Sequence, residues 1–102
     1  MLEKALERQI VKVVEKTGGI ALKLTSPSCS GMPDRLILSH HGVCAFCEVK
    51  APGGKLRPLQ IKRLQQVESL GFLTFVIDKP EQIDEMICKI ADECLRRRGI
   101  TL

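Results

Sequence analysis

The stretch DRLILSHHGVCAFCEVK, residues 34–50, decides the fold of this chain. Two largely apolar segments, 35–39 and 43–50, flank the turn residues 40–42, and this pattern predicts a β-hairpin. Apart from Glu48, residues 43–49 are all apolar or small. The second strand of the hairpin is therefore predicted to be central in its sheet, with both of its faces buried.

The segments around the hairpin alternate between helical and strand patterns. Residues 2–17 and the segments that begin at Pro58 and Pro80 predict helices, whereas residues 20–24 and 73–77 predict strands. Two apolar helix faces are expected: Ile61, Leu64, Val67 and Leu70 in the second helix, and Ile83, Met86, Ile87, Ile90, Cys94 and Leu95 in the last. The order is α-β-β-β-α-β-α. A crossover helix favours parallel pairing of the third and fourth strands, which predicts an α/β fold with a mixed four-stranded sheet flanked by helices.

The composition is that of a small globular protein. The chain has 102 residues, of which 44% are hydrophobic, and this length predicts one stand-alone domain, 1–102. No apolar run is long enough to predict a membrane span, and no signal peptide is expected at the start. The cysteine count is odd, at five. We therefore expect reduced thiols and a cytoplasmic location.

Basic residues concentrate in two places. The formal net charge of +4 is compatible with a phosphate backbone as partner. One cluster surrounds the end of the hairpin and the following helix: Lys50, Lys55, Arg57, Lys62 and Arg63. The other is Arg96 to Arg98, which is equally well explained as a solvated helix end, because cations favour the C-terminal end of the helix dipole.

Two carboxylates are predicted to meet at one end of the hairpin. Counting outward from the turn places Asp34 nearly opposite Glu48, with Lys50 on the same strand face as Glu48. Two carboxylates that close repel each other unless a cation lies between them, and Mg²⁺ bound to carboxylates and substrate phosphate is the expected arrangement. Taken singly, Asp34 could be an ordinary turn residue after Pro33, and Glu48 with Lys50 a structural ion pair.

These residues resemble a known signature. Pro33-Asp34 followed by Glu48-Val49-Lys50 resembles the PD-(D/E)xK nuclease motif, and more narrowly the virus-type replication-repair nuclease domain, VRR-NUC. The resemblance extends from about residue 3 to residue 86 and is carried by these segments: Gly18-Gly19-Ile20-Ala21-Leu22-Lys23, Gly31-Met32-Pro33-Asp34-Arg35-Leu36, Glu48-Val49-Lys50-Ala51-Pro52-Gly53-Gly54, Leu59-Gln60 and Leu70-Gly71-Phe72.

The resemblance implies a restriction-endonuclease-like core and further site residues. A glutamate of the first helix would complete the metal site; Glu7 matches best, and Glu3 lies one turn earlier on the same face. Gln60 matches a glutamine of the helix after the Glu-x-Lys strand, and the backbone carbonyl of Val49 is a further candidate metal ligand. The candidates for DNA contact are Arg35, Lys55, Arg57, Lys62 and Arg63.

The expected activity is that of an endonuclease dependent on Mg²⁺ or Mn²⁺. The resemblance implies branched DNA as substrate, four-way (Holliday) junctions in particular, a homodimer, and action inside a bacterial or phage-infected bacterial cell. The alternative is a non-catalytic DNA-binding or protein-interaction subunit of a replication or repair complex. A zinc site at His40, His41, Cys44 and Cys47 is disfavoured, because Cys44 and Cys47 point to opposite faces of a strand.

Overall fold

The computed structural model describes residues 2–99, which form three α-helices and one four-stranded sheet. The elements are α1 (Glu3–Lys16), β1 (Ile20–Lys23), β2 (Arg35–Leu38), a short 3-10 turn (His40–Gly42), β3 (Cys44–Val49), α2 (Pro58–Ser69), β4 (Leu73–Ile77) and α3 (Glu81–Arg97). The order of elements expected from the sequence is confirmed. Most helix and strand ends lie within one residue of the expected position.

The sheet has the strand order β1-β2-β3-β4. β2 pairs antiparallel with both β1 and β3, whereas β3 and β4 are parallel, as the crossover through α2 requires. The turn between β2 and β3 places His41 and Gly42 at positive φ, 59° and 72°. This reversal fixes the register in which Arg35 lies opposite Cys47.

The main core lies between one face of the sheet and the helices α1 and α3. α1 contributes Leu6, Ile10 and Val14, α3 contributes Ile83, Met86 and Ile90, and the sheet contributes Ile37, Val43, Ala45, Cys47, Val49 and Ile77. In β3 these are the alternate positions, as the period of a strand requires. The apolar stripe of α3 therefore packs against this core, although its members Ile87 and Cys94 are only partly buried.

The other face of the sheet is only partly covered. α2 packs against β4, and the rings of Phe46 and Phe72 meet edge to face with centroids 5.6 Å apart. The edge strand β1 keeps Ile20 and Leu22 at 54% and 44% exposure. Complete burial of both faces of β3 was expected and is wrong for this face, where Cys44 and Phe46 are only half-buried.

The buried face of α2 also differs from the expected one. Leu64 and Val67 are buried as expected, but Gln60 takes the inward position at the start of the helix, and Ile61 and Leu70 are exposed. The inward positions 60, 64 and 67 follow the i, i+4, i+7 spacing of a single helix face. No helix among residues 2–99 has the length and apolar character needed to span a bilayer.

Candidate metal centre

Asp34 and Glu48 meet where β2 begins and β3 ends. The pairing of Arg35 with Cys47 places the preceding Asp34 opposite Glu48, on the sheet face away from the main core. Asp34 is held there by a hydrogen bond of 2.8 Å, in which the Val49 backbone N–H donates to Asp34 Oδ2. The structure therefore brings together the two carboxylates that the hairpin pattern predicts to meet.

Glu48 is buried in a way that ordinary structural glutamates avoid. Its side chain is 2% exposed, and its Oε2 atom has no hydrogen-bond partner among the described residues. Burial, followed by a hydrogen-bond interaction with Asp34 and by the charge of Asp34, raises the pKa of Glu48 to about 8. Lys50 acts in the opposite direction. An ionised Glu48 therefore requires more positive charge than the neighbouring side chains supply.

A divalent cation fits this pair of carboxylates. Within residues 2–99 no group of three or more His, Cys, Asp or Glu side chains converges, so protein carboxylates alone would not fill a coordination shell. Mg²⁺ typically takes one or two carboxylates and completes its shell with water and substrate oxygens. The orphaned Oε2 atom of Glu48 is the observation that matches such a ligand set.

The Val49 carbonyl is directed toward the same place. The N–H and C=O of one strand residue point toward the same neighbouring strand, and the Val49 N–H points at Asp34. The Val49 carbonyl is therefore directed to the side of β3 on which Asp34 lies. The next residue, Lys50, donates its backbone N–H to the Ile77 carbonyl of β4 at 2.9 Å, which agrees with this alternation.

Lys50 follows β3 directly and is half-buried. Strand alternation places it on the same face as Glu48, and its positive charge lowers the pKa of that carboxyl against the effects of burial. Its ammonium group is thus close enough to Glu48 to influence the ionisation of that carboxyl.

The two glutamates of α1 lie in different surroundings. Glu7 Oε1 accepts a hydrogen bond from Arg35 Nε at 2.7 Å, and both side chains are less than one-fifth exposed. The charge of Glu3 contributes to the raised pKa of Glu48, whereas Glu7 contributes to that of Cys47, which burial mainly raises to about 12. Which of the two completes the site, a choice that the sequence leaves open, therefore stays a prediction.

The Gln60 side chain forms a hydrogen bond at the start of α2. Its Oε1 accepts a hydrogen bond of 2.8 Å from the Arg57 backbone N–H, and the side chain is almost fully buried. This bond fixes the end of the loop that follows Lys50. Because α2 begins at the same end of the sheet as β3 finishes, its first backbone N–H groups lie on the side of the carboxylates.

The basic residues expected to contact DNA separate into two groups. Lys55, Arg57 and Lys62 are exposed on the loop and first turns of α2. Arg35 is engaged by Glu7, and Arg63 donates to the Ser30 carbonyl at 2.8 Å and to Gln66. The last two therefore fix local structure in addition to any role at the surface.

The second basic cluster, Arg96 to Arg98, lies at the opposite end of the sheet. Arg97 donates to the Gly42 carbonyl at 2.8 Å, in the turn between β2 and β3, and both Arg96 and Arg97 pair with Glu93. The structure thus agrees with the interpretation of this cluster as a helix end. α3 runs away from the site, and its C-terminal end reaches the turn of the hairpin.

Comparisons with known proteins identify the family and the fold. The sequence profile of the VRR-NUC domain matches residues 1–79. Over 79 residues the chain is 39% identical to "Putative nuclease p44" of Acyrthosiphon pisum secondary endosymbiont phage 1. This alignment covers 78% of this chain and 85% of that protein. The chain belongs to the VRR-NUC family. A solved structure described as a VRR_NUC domain matches with a TM-score of 0.78 at 30% identity and covers 83% of this chain and 92% of that one.

The VRR-NUC match includes all four strands and the carboxylate pair, and it ends just before α3 begins at Glu81. The family and the fold implied by the motif are confirmed, and the chain is a nuclease domain. Nuclease domains of this family commonly use divalent metals, and the orphaned carboxylate oxygen of Glu48 is compatible with that chemistry.

The stability of the metal-free protein is expected to fall as the pH rises from about 4.5 to about 8. The folded state holds the proton of Glu48 up to a pKa of about 8, whereas the unfolded chain releases it near 4.5. The proton-linked stabilisation is therefore complete below pH 4.5 and is lost as the pH passes through the folded pKa. Urea unfolding in EDTA across this range measures the slope, and Glu48→Gln should remove this contribution.

Added Mg²⁺ or Mn²⁺ should reverse the trend. Metal binding requires Glu48 to lose its proton, so the rise in melting temperature on adding metal should grow between pH 6 and pH 8. Glu68→Gln, a substitution on the exposed surface of α2, is the matched control and should keep both pH dependences. A parent protein and a Glu48→Gln variant with equal pH slopes would contradict the assignment.

Proposed function

We propose that this chain is an endonuclease that hydrolyses phosphodiester bonds in DNA with Mg²⁺ or Mn²⁺, and that it prefers branched DNA such as four-way junctions. The single observation that carries the metal dependence is the buried, unpartnered Oε2 of Glu48 beside Asp34. Membership of a nuclease family supports the reaction class. Cleavage of matched single-stranded, duplex, flap and four-way junction DNA, with and without each metal, is the experiment that tests the proposal.

Asp34, Glu48 and the Val49 carbonyl would hold the ion. The bound ion supplies electrostatic stabilisation of the phosphoryl oxygens and lowers the pKa of a water molecule. Asp34 is oriented for this role by the Val49 N–H, and burial holds Glu48. These constraints favour a ligand geometry that is already formed before DNA binds.

Lys50 would position the attacking water and, as the neutral amine, accept one of its protons. Strand alternation puts Lys50 on the Glu48 face just after β3 ends, where a phosphate would approach. Attack of the water oxygen on phosphorus breaks a P–O bond, and the departing oxygen leaves with a proton from solvent. The first backbone N–H groups of α2, held in place by Gln60, provide a second contact for the phosphate.

A homodimer would explain selection of branched DNA. Two sites at a fixed separation fit the two equivalent strands of a junction, and the second contact gains from a high effective concentration. The exposed apolar side chains of Ile20 and Leu22 on the edge strand support association through this face. A cytoplasmic setting fits the five cysteines, none of which is paired in the structure.

Asp34→Asn and Glu48→Gln should each abolish cleavage in a folded protein, because loss of a ligand charge removes the ion and its support for the transition state.

Lys50→Ala should lower the cleavage rate by about 100-fold or more while leaving metal affinity nearly unchanged, because an ammonium group does not bind Mg²⁺. Single-turnover cleavage with titrated metal measures both quantities.

Lys50→Arg separates the role of charge from that of proton transfer. Lys50→Arg should be inactive, since a guanidinium stays protonated and differs in shape, whereas Lys89→Gln on the exposed surface of α3 should retain catalysis. Near-parental turnover by Asp34→Asn or Glu48→Gln would refute the metal site. An active Lys50→Arg would instead leave the metal site intact and remove the proton-transfer role.

Glu3→Gln should mainly change metal affinity, whereas Glu7→Gln should mainly change stability. Glu3→Gln should weaken metal affinity by about tenfold with little change in stability, as expected for an outer carboxylate. Glu7→Gln should cost roughly 1–3 kcal/mol of stability, because it removes the charged partner of the half-buried Arg35. Metal titration of cleavage and urea unfolding are the two measurements. A larger loss of metal affinity in Glu7→Gln would assign the site to Glu7.

Ile20→Lys should produce a monomer that still cuts DNA but loses the preference for four-way junctions over linear duplex. A charge placed within an apolar contact opposes association, and Ile20, opposite Leu38, lies at the end of the sheet away from the carboxylates. Light scattering measures the mass, and Leu70→Lys, which adds the same charge at an exposed leucine after α2, serves as the control. A parent protein that is monomeric and cuts duplex as readily as junctions would refute the branched-DNA proposal while leaving the nuclease assignment intact.

A further inference from the structure

A basic groove runs along α1, on the side of the sheet opposite the carboxylate pair. It encloses about 460 Å³ and lies between α1 and the adjacent strands β1 and β2. Its polar lining comes from three separate elements: Lys4, Glu7, Arg8, Lys12, Lys23 and Arg35. None of the basic residues on α1 or β1 stood out in the sequence, because each is isolated between residues of other types.

The groove concentrates the positive charge of the chain. Five cations and one carboxylate line it, a local excess of four charges that equals the formal net charge of the whole protein, +4. The carboxylate, Glu7, is already engaged by Arg35 at 2.7 Å. No ion pair found within residues 2–99 includes Lys4, Arg8, Lys12 or Lys23. Their charges therefore remain available to an anionic partner.

The cations of α1 are spaced so that several can contact consecutive phosphates of a polyanion. Lys4, Arg8 and Lys12 recur at every fourth residue, so they form one stripe that is about 12 Å long at 1.5 Å per residue. One strand of duplex DNA presents a phosphate about every 3.4 Å along its axis, so the stripe spans roughly three or four phosphates. A concave surface with cations on both walls differs from a solvated helix face, which would carry the same stripe without a facing wall.

The groove opens at the same end of the sheet as the carboxylates. Lys23 pairs with Arg35 in the sheet, and Arg35 directly follows Asp34. The chain reverses direction between α1 and β1, and β1 finishes at this end with Lys23. α1 therefore begins at this end, and Lys4 lies in the first turn of α1. The exposed Lys55, Arg57 and Lys62 lie on the other side of the site, around the start of α2. Basic surfaces thus diverge from the site in two directions.

We propose that the groove between α1 and strands β1 and β2 binds the phosphate backbone of a second DNA arm. One arm of a branched substrate contacts the start of α2, and the next arm leaves the site along Lys4, Arg8 and Lys12. This assignment rests on the proposed function for its substrate and adds a binding site to it. Phosphate contacts of this kind position the duplex without reading its sequence.

The test compares two variants that lose the same charge. Lys4→Gln/Arg8→Gln/Lys12→Gln removes the three cations that α1 contributes to the groove. The matched control, Lys89→Gln/Arg96→Gln/Arg98→Gln, removes three charges from α3 and its C-cap. Binding of the full chain to labelled four-way junction and linear duplex is measured in EDTA, which prevents metal-dependent cleavage, at several NaCl concentrations. The groove variant should lower the salt-dependence slope on the junction by about two to three, since each phosphate contact contributes about 0.9.

The groove variant should also bind the junction at least about tenfold more weakly than the control does, with a smaller loss on linear duplex. Equal losses in the two triple variants would overturn the proposal, because overall charge would then explain the effect. Equal losses on junction and duplex would overturn the assignment to a second arm.

Two further measurements keep the outcome interpretable. Lys23→Gln changes the facing wall on β1 without altering α1, and it should lower the junction slope by about one even if the triple variant unfolds. An unchanged slope in this variant would count against the groove. A chain that cuts no DNA with either metal would refute the proposed nuclease activity, whereas binding in EDTA would still decide whether the groove contacts DNA.

Discussion

The register between β2 and β3 is the constraint on which the candidate site depends. Arg35 opposite Cys47 sets Asp34 opposite Glu48, and the bond from the Val49 N–H to Asp34 extends that register by one step. A slip of one residue would turn Glu48 toward the apolar core and Cys47 toward the site. The alternate apolar positions Ala45, Cys47 and Val49 of β3 oppose such a slip, so the packing of the core also fixes the chemistry on the other face.

The carboxylates on the two faces of the sheet differ in whether a positive charge compensates them. On the core side Glu7 has a partner, Arg35, which compensates its charge. On the other side Glu48 lies beside a second carboxylate, and its raised pKa reflects both burial and that neighbour. A structural glutamate is normally paired as Glu7 is, whereas an uncompensated pair is typical of positions that bind a cation. The contrast within one small protein supports the assignment of metal binding to Asp34 and Glu48.

The two ends of the sheet have different roles. The first turns of α1, α2 and α3 all lie at the end where β3 and β4 finish, so their exposed N–H groups and dipoles favour anions there. The C-terminal end of α3, with Arg96 to Arg98, is tied to the hairpin turn through the Gly42 carbonyl. Positive charge at that end therefore stabilises a helix terminus and a turn, in agreement with the solvated-end interpretation of this cluster.

The sequence by itself determined the order of elements, the mixed sheet and the pairing of Asp34 with Glu48. These follow from local patterns: the period of two in the hairpin, a short turn, and proline and glycine at the helix ends. The motif also identified the family, because Pro33-Asp34 and Glu48-Val49-Lys50 lie at fixed distances from further matching segments.

Only the tertiary structure decided which surfaces meet. It paired Glu7 with Arg35, moved Gln60 into the buried face of α2, and placed Arg96 to Arg98 far from the carboxylates. It also joined the isolated cations of α1 and β1 into one groove. The physical reason is that ion pairs, helix orientation and concave surfaces depend on distances between segments remote in the chain, whereas sequence periodicity reports only the local repeat of each element.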